Sequence, residues 1–419
     1  MNTAKQMIGL SRPRPNLTGA TMRIFAVAII LFPIVSIFSP NALVVLLVVT
    51  SLTLLFDEKN RTGIFASLPR VPVILIFALV AWSLVAVSWS PDPLKSFGSL
   101  GRVVGVTLCG LLLFASARKL VPSERGALKV VFAVAGVLFV ILFSVELITS
   151  GSLTRALVML WNDLTPWDSA LPNGAAILSR SSAALAVFFW LCAWVIFNQY
   201  SMRWGILFVI TVVINLLTQN MLASFVAFLS AAVIFAIVYA KPGWGCVVLF
   251  VALVVVNLGL AAVVSGVFQA DRESAAPFQT MSSWRERLSI LEFVYQRVAE
   301  RPVFGWGFDA SRAIGQDTPS GFGSNMAIPL HPHNLWAQVL LELGAVGFML
   351  LIGFVVATLR LIAALHADRS MIAMVVAAIT TYLLIGNISY GMWQNWWLAI
   401  AWLIAGFLGT LAPSDVSPD

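Results

Sequence analysis

The sequence predicts an all-α polytopic membrane protein of about twelve transmembrane helices, with one large helical loop between the ninth and the tenth. Three observations carry this reading. The chain is 60% hydrophobic and only 10% charged, against roughly a quarter charged in soluble domains, so most of its surface faces something other than water. Apolar runs of about 17 to 25 residues, long enough to cross hydrocarbon as helices, recur along nearly the whole length. The cations fall in alternate loops rather than in one patch.

Taken in order, spans are expected near 22–38, 41–56, 71–89, 102–117, 127–148, 175–197, 204–218, 221–240 and 244–268, then near 345–365, 371–388 and 394–412. The basic start, with Lys5, Arg12, Arg14 and Arg23, leads into a run long enough to stay as the first span, so the N-terminus is expected to be retained. With that terminus inside, the inner loops hold Lys59, Arg61 and Arg70, then Arg118, Lys119 and Arg125, then Arg203, Lys241, Arg360 and Arg369. The opposite loops at 39–40, 219–220 and 389–393 carry no Lys or Arg, as the positive-inside rule requires when both termini are cytoplasmic. This divides the chain into helices 1–9 over residues 1–268, a loop over 269–333, and helices 10–12 over 334–419.

The formal charge of +7 therefore reflects topology, and no nucleic acid is expected as a partner; membrane lipids are. Cys109, Cys192 and Cys246 each lie inside an apolar run and read as small core residues, implying neither a disulfide nor a metal. Trp393, Trp396 and Trp397 are expected in an aromatic belt at the headgroups. The G-R-V-V-G stretch from Gly101 to Gly105 reads as a small-residue helix contact. No internal repeat or inverted pair of broken helices is evident, which weakens an alternating-access transporter.

The long loop differs in kind. After Asp271, Arg272 and Glu273, the segment from Ser282 to Pro302 places Trp284, Leu288, Leu291, Tyr295 and Val298 at helical spacing. This is an amphipathic helix for the membrane surface or the bundle, ended by Pro302. On its wheel Arg287 falls beside the apolar stripe and Arg285 projects away. Arg287 reads either as a guanidinium snorkelling to lipid phosphates or as a bidentate anion clamp. Arg180, about one and a half turns into the sixth span, is a costly intramembrane cation. It reads either as a structural pair or as a functional charge, and with Arg287 it could clamp a diphosphate.

The third element is H-P-H-N-L-W-A-Q-V-L-L-E-L-G-A-V-G from His331 to Gly347. Pro332 and Asn334 are helix-start residues, which puts His333 at or just before a helix N-terminus. The positive end of a helix dipole keeps a histidine neutral and able to accept a proton, although such a residue also serves as a plain cap or loop residue. His366, beside Arg369 in an inner turn, has only a structural reading. A zinc-protease ligand set is missing, since His331 and His333 cannot share a helical face, and neither common nucleotide-binding glycine loop is present, so no metal or cofactor is expected. Asp309, Asp317 and Glu342 could each act as a base, and no spacing singles one out.

The paired segments, W-R-E-R-L-S-I-L-E-F-V-Y-Q-R-V-A-E-R-P-V-F-G-W-G-F-D and H-P-H-N-L-W-A-Q-V-L-L-E-L-G-A-V-G, resemble the O-antigen ligase and polymerase superfamily of bacterial envelope glycosyltransferases. The resemblance covers roughly the C-terminal 140 residues by motif, and the rest by topology and the arginine of the sixth span. It implies a multi-pass protein of the bacterial inner membrane with a periplasmic active site. The implied reaction moves a glycan from undecaprenyl diphosphate to a sugar hydroxyl of the lipid A-core. By the same resemblance His333 is the catalytic histidine, with His331 and Asn334 supporting it, and Arg180 and Arg287 bind the diphosphate. This chain departs from the common pattern in having Leu291 where a tryptophan often stands and Arg285 beside Arg287, so Arg285 stays a candidate for the second arginine. A ligase is expected ahead of a polymerase of the same superfamily, because no further soluble domain is expected after the last span. A lipid-linked glycan transporter is the alternative from another class.

Overall fold

The computed structural model describes residues 19–57, 63–164, 174–218, 222–243, 282–316, 327–328, 331–364 and 367–412. The expected span at 244–268, together with Cys246, Asp317, His366 and the side chains of Trp284 and Arg285, lies outside the described residues. What is described is all-helical. In chain order the helices are α1 (Ala20–Phe38), α2 (Leu43–Leu54), α3 (Arg70–Val87), α4 (Pro93–Arg118), α5 (Pro122–Ile148), α6 (Ser152–Leu164), α7 (Gly174–Gln199), α8 (Met202–Thr218) and α9 (Leu222–Ala240). After these come α10 (Ser282–Glu300), α11 (Ser311–Gln316), α12 (Leu335–Ala363), α13 (Arg369–Ile388) and α14 (Asn395–Leu411). Among the described residues eight helices are long and apolar enough to cross a membrane, and three shorter apolar helices accompany them. The protein is an all-α polytopic membrane protein.

Lipid offers no hydrophobic driving force between helices, so the bundle must hold by close packing and hydrogen bonds. Helix α7 supplies the axis: residues 180–196 are buried almost without interruption apart from Arg180. Its Phe188 sits 4.8 Å from Phe32 of α1, 6.0 Å from Phe132 of α5 and 6.1 Å from Phe407 of α14, ring centre to ring centre. Such aromatic pairs contribute about 0.5–1.5 kcal/mol each beyond the area they bury. On the other side, the Trp190 and Trp194 indoles donate to Thr381 and Ser370 of α13, both at 2.8 Å.

Three expectations are corrected. Helix α4 begins at Pro93, well before the expected span, because Asp92 caps it by accepting from the Lys95 N–H at 3.2 Å; its first turns are too polar to register as apolar. Gly101 and Gly105 contact nothing from other helices, so the small-residue contact falls instead at Gly110, where an added Cβ would lie 2.0 Å from the Trp402 ring. The tryptophans do not form a headgroup belt. Trp396 and Trp397 are buried, Trp397 stacks on Tyr382 at 4.4 Å, and the Trp393 indole is engaged inside the protein. Helix α6 was not anticipated.

Between the two surfaces open to it, α10 takes the bundle. Its Ile290, Leu291 and Val294 pack with Ala337 and Leu341 of α12. Helix α12 is itself broken at Gly344, whose φ of +64° and ψ of −166° interrupt the helical path, and the span expected from 345 begins directly after the break.

Candidate active site

The break at Gly344 shapes the site. Carbonyls that a continuous helix would use are freed and taken by other parts of the chain. The Trp306 and Gly307 N–H groups donate to Leu341 and Glu342 carbonyls, both at 2.9 Å, and the Trp82 indole donates to the Leu343 carbonyl at 3.0 Å. In return Ala345 N–H donates to the Pro302 carbonyl at 2.8 Å. The P-V-F-G-W-G-F-D segment therefore lies flat on the break. Only glycine fits at 344, since a Cβ would meet the Val303 carbonyl oxygen at 2.2 Å and the backbone there is closed to L side chains.

Glu342, two residues before the break, is fully buried. One of its carboxyl oxygens accepts from the Asp309 N–H at 2.9 Å and the Trp393 indole at 2.6 Å; the other accepts from Gln338 Nε2 at 3.0 Å and from the Ser311 hydroxyl. Gln338 in turn accepts from the Met392 N–H at 2.7 Å. Asp309, at a φ of +57°, receives the Ser99 hydroxyl at 2.6 Å, and Ser99 accepts from Arg102 at 2.8 Å. Glu342 was one of three undistinguished carboxylates in the sequence; the fold makes it the joint between the glycine turn, α11, α12 and the 389–394 turn.

His333 precedes α12 as expected. Asn334 caps the helix, its side-chain oxygen accepting from the Ala337 N–H at 2.9 Å. His333 takes a left-handed φ of +55°, an uncommon conformation for a non-glycine residue. Its ring Nδ1 lies 3.0 Å from the Ser389 carbonyl. A carbonyl only accepts, so Nδ1 carries the proton and the neutral ring keeps its lone pair on Nε2. Burial lowers the His333 pKa first of all; Arg287 lowers it further, against the raising influence of the Ser389 hydrogen bond and Glu286. His331, buried beside it at 4.3 Å between ring centres, accepts the His333 N–H on Nδ1 at 3.2 Å. Burial, then His333, Arg312 and Arg287 push its pKa down to about 3. Burial thus favours the uncharged form of both rings.

The arginines converge around Tyr390, a residue that sequence reasoning missed. The Tyr390 hydroxyl donates to the Ser179 carbonyl at 3.3 Å. Burial raises its pKa, while that hydrogen bond and the charges of Arg180 and Arg287 lower it. Arg180 donates to Asn41 at 3.0 Å and lies over the Trp396 ring at 5.4 Å. Arg287 is half-buried, and its charge bears on both histidines as well as on Tyr390. The structure thus brings Arg180, Arg287, His331, His333 and Asn334 to one region, while the side chain of Arg285 lies outside the described residues. Beside them opens a cavity of about 580 Å³ lined by Arg180, His331, Asp309 and Gln338, among others.

The sequence model of the family described as O-antigen ligase matches residues 206–352. A protein of Rickettsia conorii named "Putative polysaccharide ligase" is 26% identical over 348 residues, covering 81% of this chain and 79% of the relative. Proteins of the same name from Rickettsia felis and Rickettsia prowazekii are 26% and 24% identical, over 81% and 87% of this chain and 80% and 86% of their own lengths. Over residues 206–352 the chain is similar to O-antigen ligases, and over most of its length to these polysaccharide ligases. The family match runs from α8 through the break in α12 and so includes Arg287, Asp309, His333 and Glu342. Arg180, Ser389, Tyr390 and Trp393 lie outside the matched stretch and join the candidate site from α7 and the 389–394 turn.

Proposed function

We propose that the chain is an O-antigen ligase of the bacterial inner membrane. In this reading it transfers a glycan from undecaprenyl diphosphate to a sugar hydroxyl of the lipid A-core, in a single inverting displacement without metal. The similarity to O-antigen and polysaccharide ligases supports the coarser statement, an enzyme that transfers polysaccharide during envelope assembly. The observation that carries the finer one is the 3.0 Å contact of His333 Nδ1 with the Ser389 carbonyl, from which the tautomer follows. With Nδ1–H on the Ser389 carbonyl, Nε2 is the proton acceptor that an attacking sugar hydroxyl requires, and the lowered pKa keeps it available.

Arg180 and Arg287 then hold the diphosphate. A leaving diphosphate needs charge compensation, and guanidinium groups supply it with paired hydrogen bonds. Arg287 does so at a cost, because a cation this close to the histidines opposes their protonation; the same field favours the neutral base. In this reading both termini are cytoplasmic, and the histidines face the periplasm.

The experiment is transfer with purified protein, undecaprenyl diphosphate-linked glycan and lipid A-core, run with and without chelator and repeated with His333→Ala. Product on the core that survives chelation and is lost in the variant is the expected result. Lengthened lipid-linked chains with an unmodified core would establish a polymerase instead. A folded His333→Ala protein with full activity would end the base assignment.

A further inference from the structure

The first turns of α4, which sequence reasoning passed over, place three polar side chains on one stripe. Lys95, Ser99 and Arg102 are four and three residues apart, so they share a helical face. That face lines the 580 Å³ cavity, where Lys95 and Arg102 stand with Arg180 and Arg312. Among the described lining residues these four cations face one carboxylate, Asp309. Asp309 is already committed to the Ser99 hydroxyl, which also holds Arg102 in place at 2.8 Å. Lys95 occupies the third position of α4, after the Asp92 cap, where the helix dipole disfavours a cation.

A cavity with this balance of charge is built for an anion, and the excess is more than a diphosphate requires. Under the reading above, the diphosphate takes Arg180 and Arg287, and Arg287 is not among the residues lining this cavity. Lys95, Arg102 and Arg312 remain. The cavity also reaches His331, whose ring lies 4.3 Å from that of the proposed base, so a molecule filling it lies beside the histidine pair. The second substrate of a transfer reaction belongs in that position.

We propose that Lys95, Arg102 and Arg312 form an anion subsite for the acceptor, engaging phosphate or carboxylate groups on its sugars and so selecting an acidic glycolipid. This rests on the ligase reading for the identity of the acceptor. The subsite acts on binding and on the placement of the acceptor, and takes no part in proton transfer.

The test is equilibrium binding of two probes, lipid A-core and the same lipid stripped of its phosphates, to detergent-purified protein. Wild type is compared with Lys95→Ala/Arg102→Ala and with the charge-keeping Lys95→Arg/Arg102→Lys. Both residues are exposed, and a melting curve verifies the fold of each variant. The expected result is binding to the intact lipid that weakens on the order of tenfold or more in the alanine pair, as for lost hydrogen bonds to charged groups. The charge-keeping pair should retain most of it, and the stripped lipid should bind wild type as weakly as the intact lipid binds the alanine pair. Equal binding of both lipids to wild type, unchanged in the alanine pair, overturns the subsite and leaves the ligase reading standing. Wild type that binds neither lipid overturns the ligase reading and the subsite together. If the alanine pair loses affinity for undecaprenyl diphosphate instead, with the intact lipid unaffected, the cations belong to the donor and the proposal fails.

Discussion

Replacing Glu342 by glutamine tests whether the site is organised as described. The carboxyl group receives four buried donors, two on each oxygen: Asp309 N–H and the Trp393 indole on one, Gln338 Nε2 and the Ser311 hydroxyl on the other. A glutamine offers one oxygen and one amide nitrogen. Its oxygen must face Asp309 and Trp393, whose N–H groups cannot reverse. Its nitrogen then faces Ser311, whose hydroxyl can turn to accept, and Gln338, whose nitrogen cannot. Gln338 is not free to flip, because its oxygen already accepts from Met392 at 2.7 Å. Two buried donors, Gln338 Nε2 and the Ser311 hydroxyl, lose their acceptor, a loss of about 1–3 kcal/mol each. The assay is thermal unfolding of the purified protein, and Glu342→Gln should melt below wild type, with Glu342→Ala lower still. The double variant Glu342→Gln/Gln338→Glu exchanges amide and carboxylate, restores the hydrogen bond between positions 338 and 342, and should recover about half of the loss, since the Ser311 proton still lacks its acceptor. A single variant that melts like wild type, or a double variant that recovers nothing, would refute the hydrogen-bond assignment.

The pH dependence of kcat/KM should follow the neutral form of His333. Because its pKa is lowered from the ordinary 6.5, activity should persist below pH 6.5 and fall only as the pH drops through the lowered value. An acidic limb above 6.5 would contradict this. In Arg287→Ala the residual activity should show its acidic limb moved upward, since a cation that opposes imidazole protonation has gone; an unmoved limb would detach Arg287 from the histidine. Arg287→Lys should lose activity by about tenfold or more if the clamp is bidentate, measured as initial transfer rate, whereas near-normal activity would reduce its role to charge attraction. Gly344→Ala should lower stability by about 2–4 kcal/mol through a strained φ and collision with Val303, seen as an earlier melting transition.

The membrane character and most helix positions were legible because lipid imposes a coarse rule: twenty or so apolar residues, cations on alternate sides. His333 and Asn334 were legible because capping is a local pattern, and α10 because its apolar stripe keeps period. Where the reading failed, the deciding contact was distant in sequence. Nothing near Gly101 tells that it faces outward while Gly110 meets Trp402, and nothing in a tryptophan cluster separates a headgroup ring from Trp393, whose indole binds Glu342. Glu342 itself looks like any other acidic residue until the break at Gly344 brings the glycine turn against it. That turn carried a signal: two glycines and a proline just after an amphipathic helix mark a close backbone approach. The cation stripe of α4 was hidden because the search for spans set its polar start aside.

The partner of the His333 ring is the Ser389 carbonyl, 56 residues further along the chain, and Trp393 reaches Glu342 across 51. Backward, Asp309 leans on Ser99 across 210 residues and the broken helix on Trp82 across 261. During synthesis, then, the histidine emerges well before the carbonyl that fixes its tautomer. A nascent chain stalled before the 389–394 turn has its motif complete and its histidine unpartnered by the Ser389 carbonyl, so under the proposed role of His333 activity has to wait until α13 is in place.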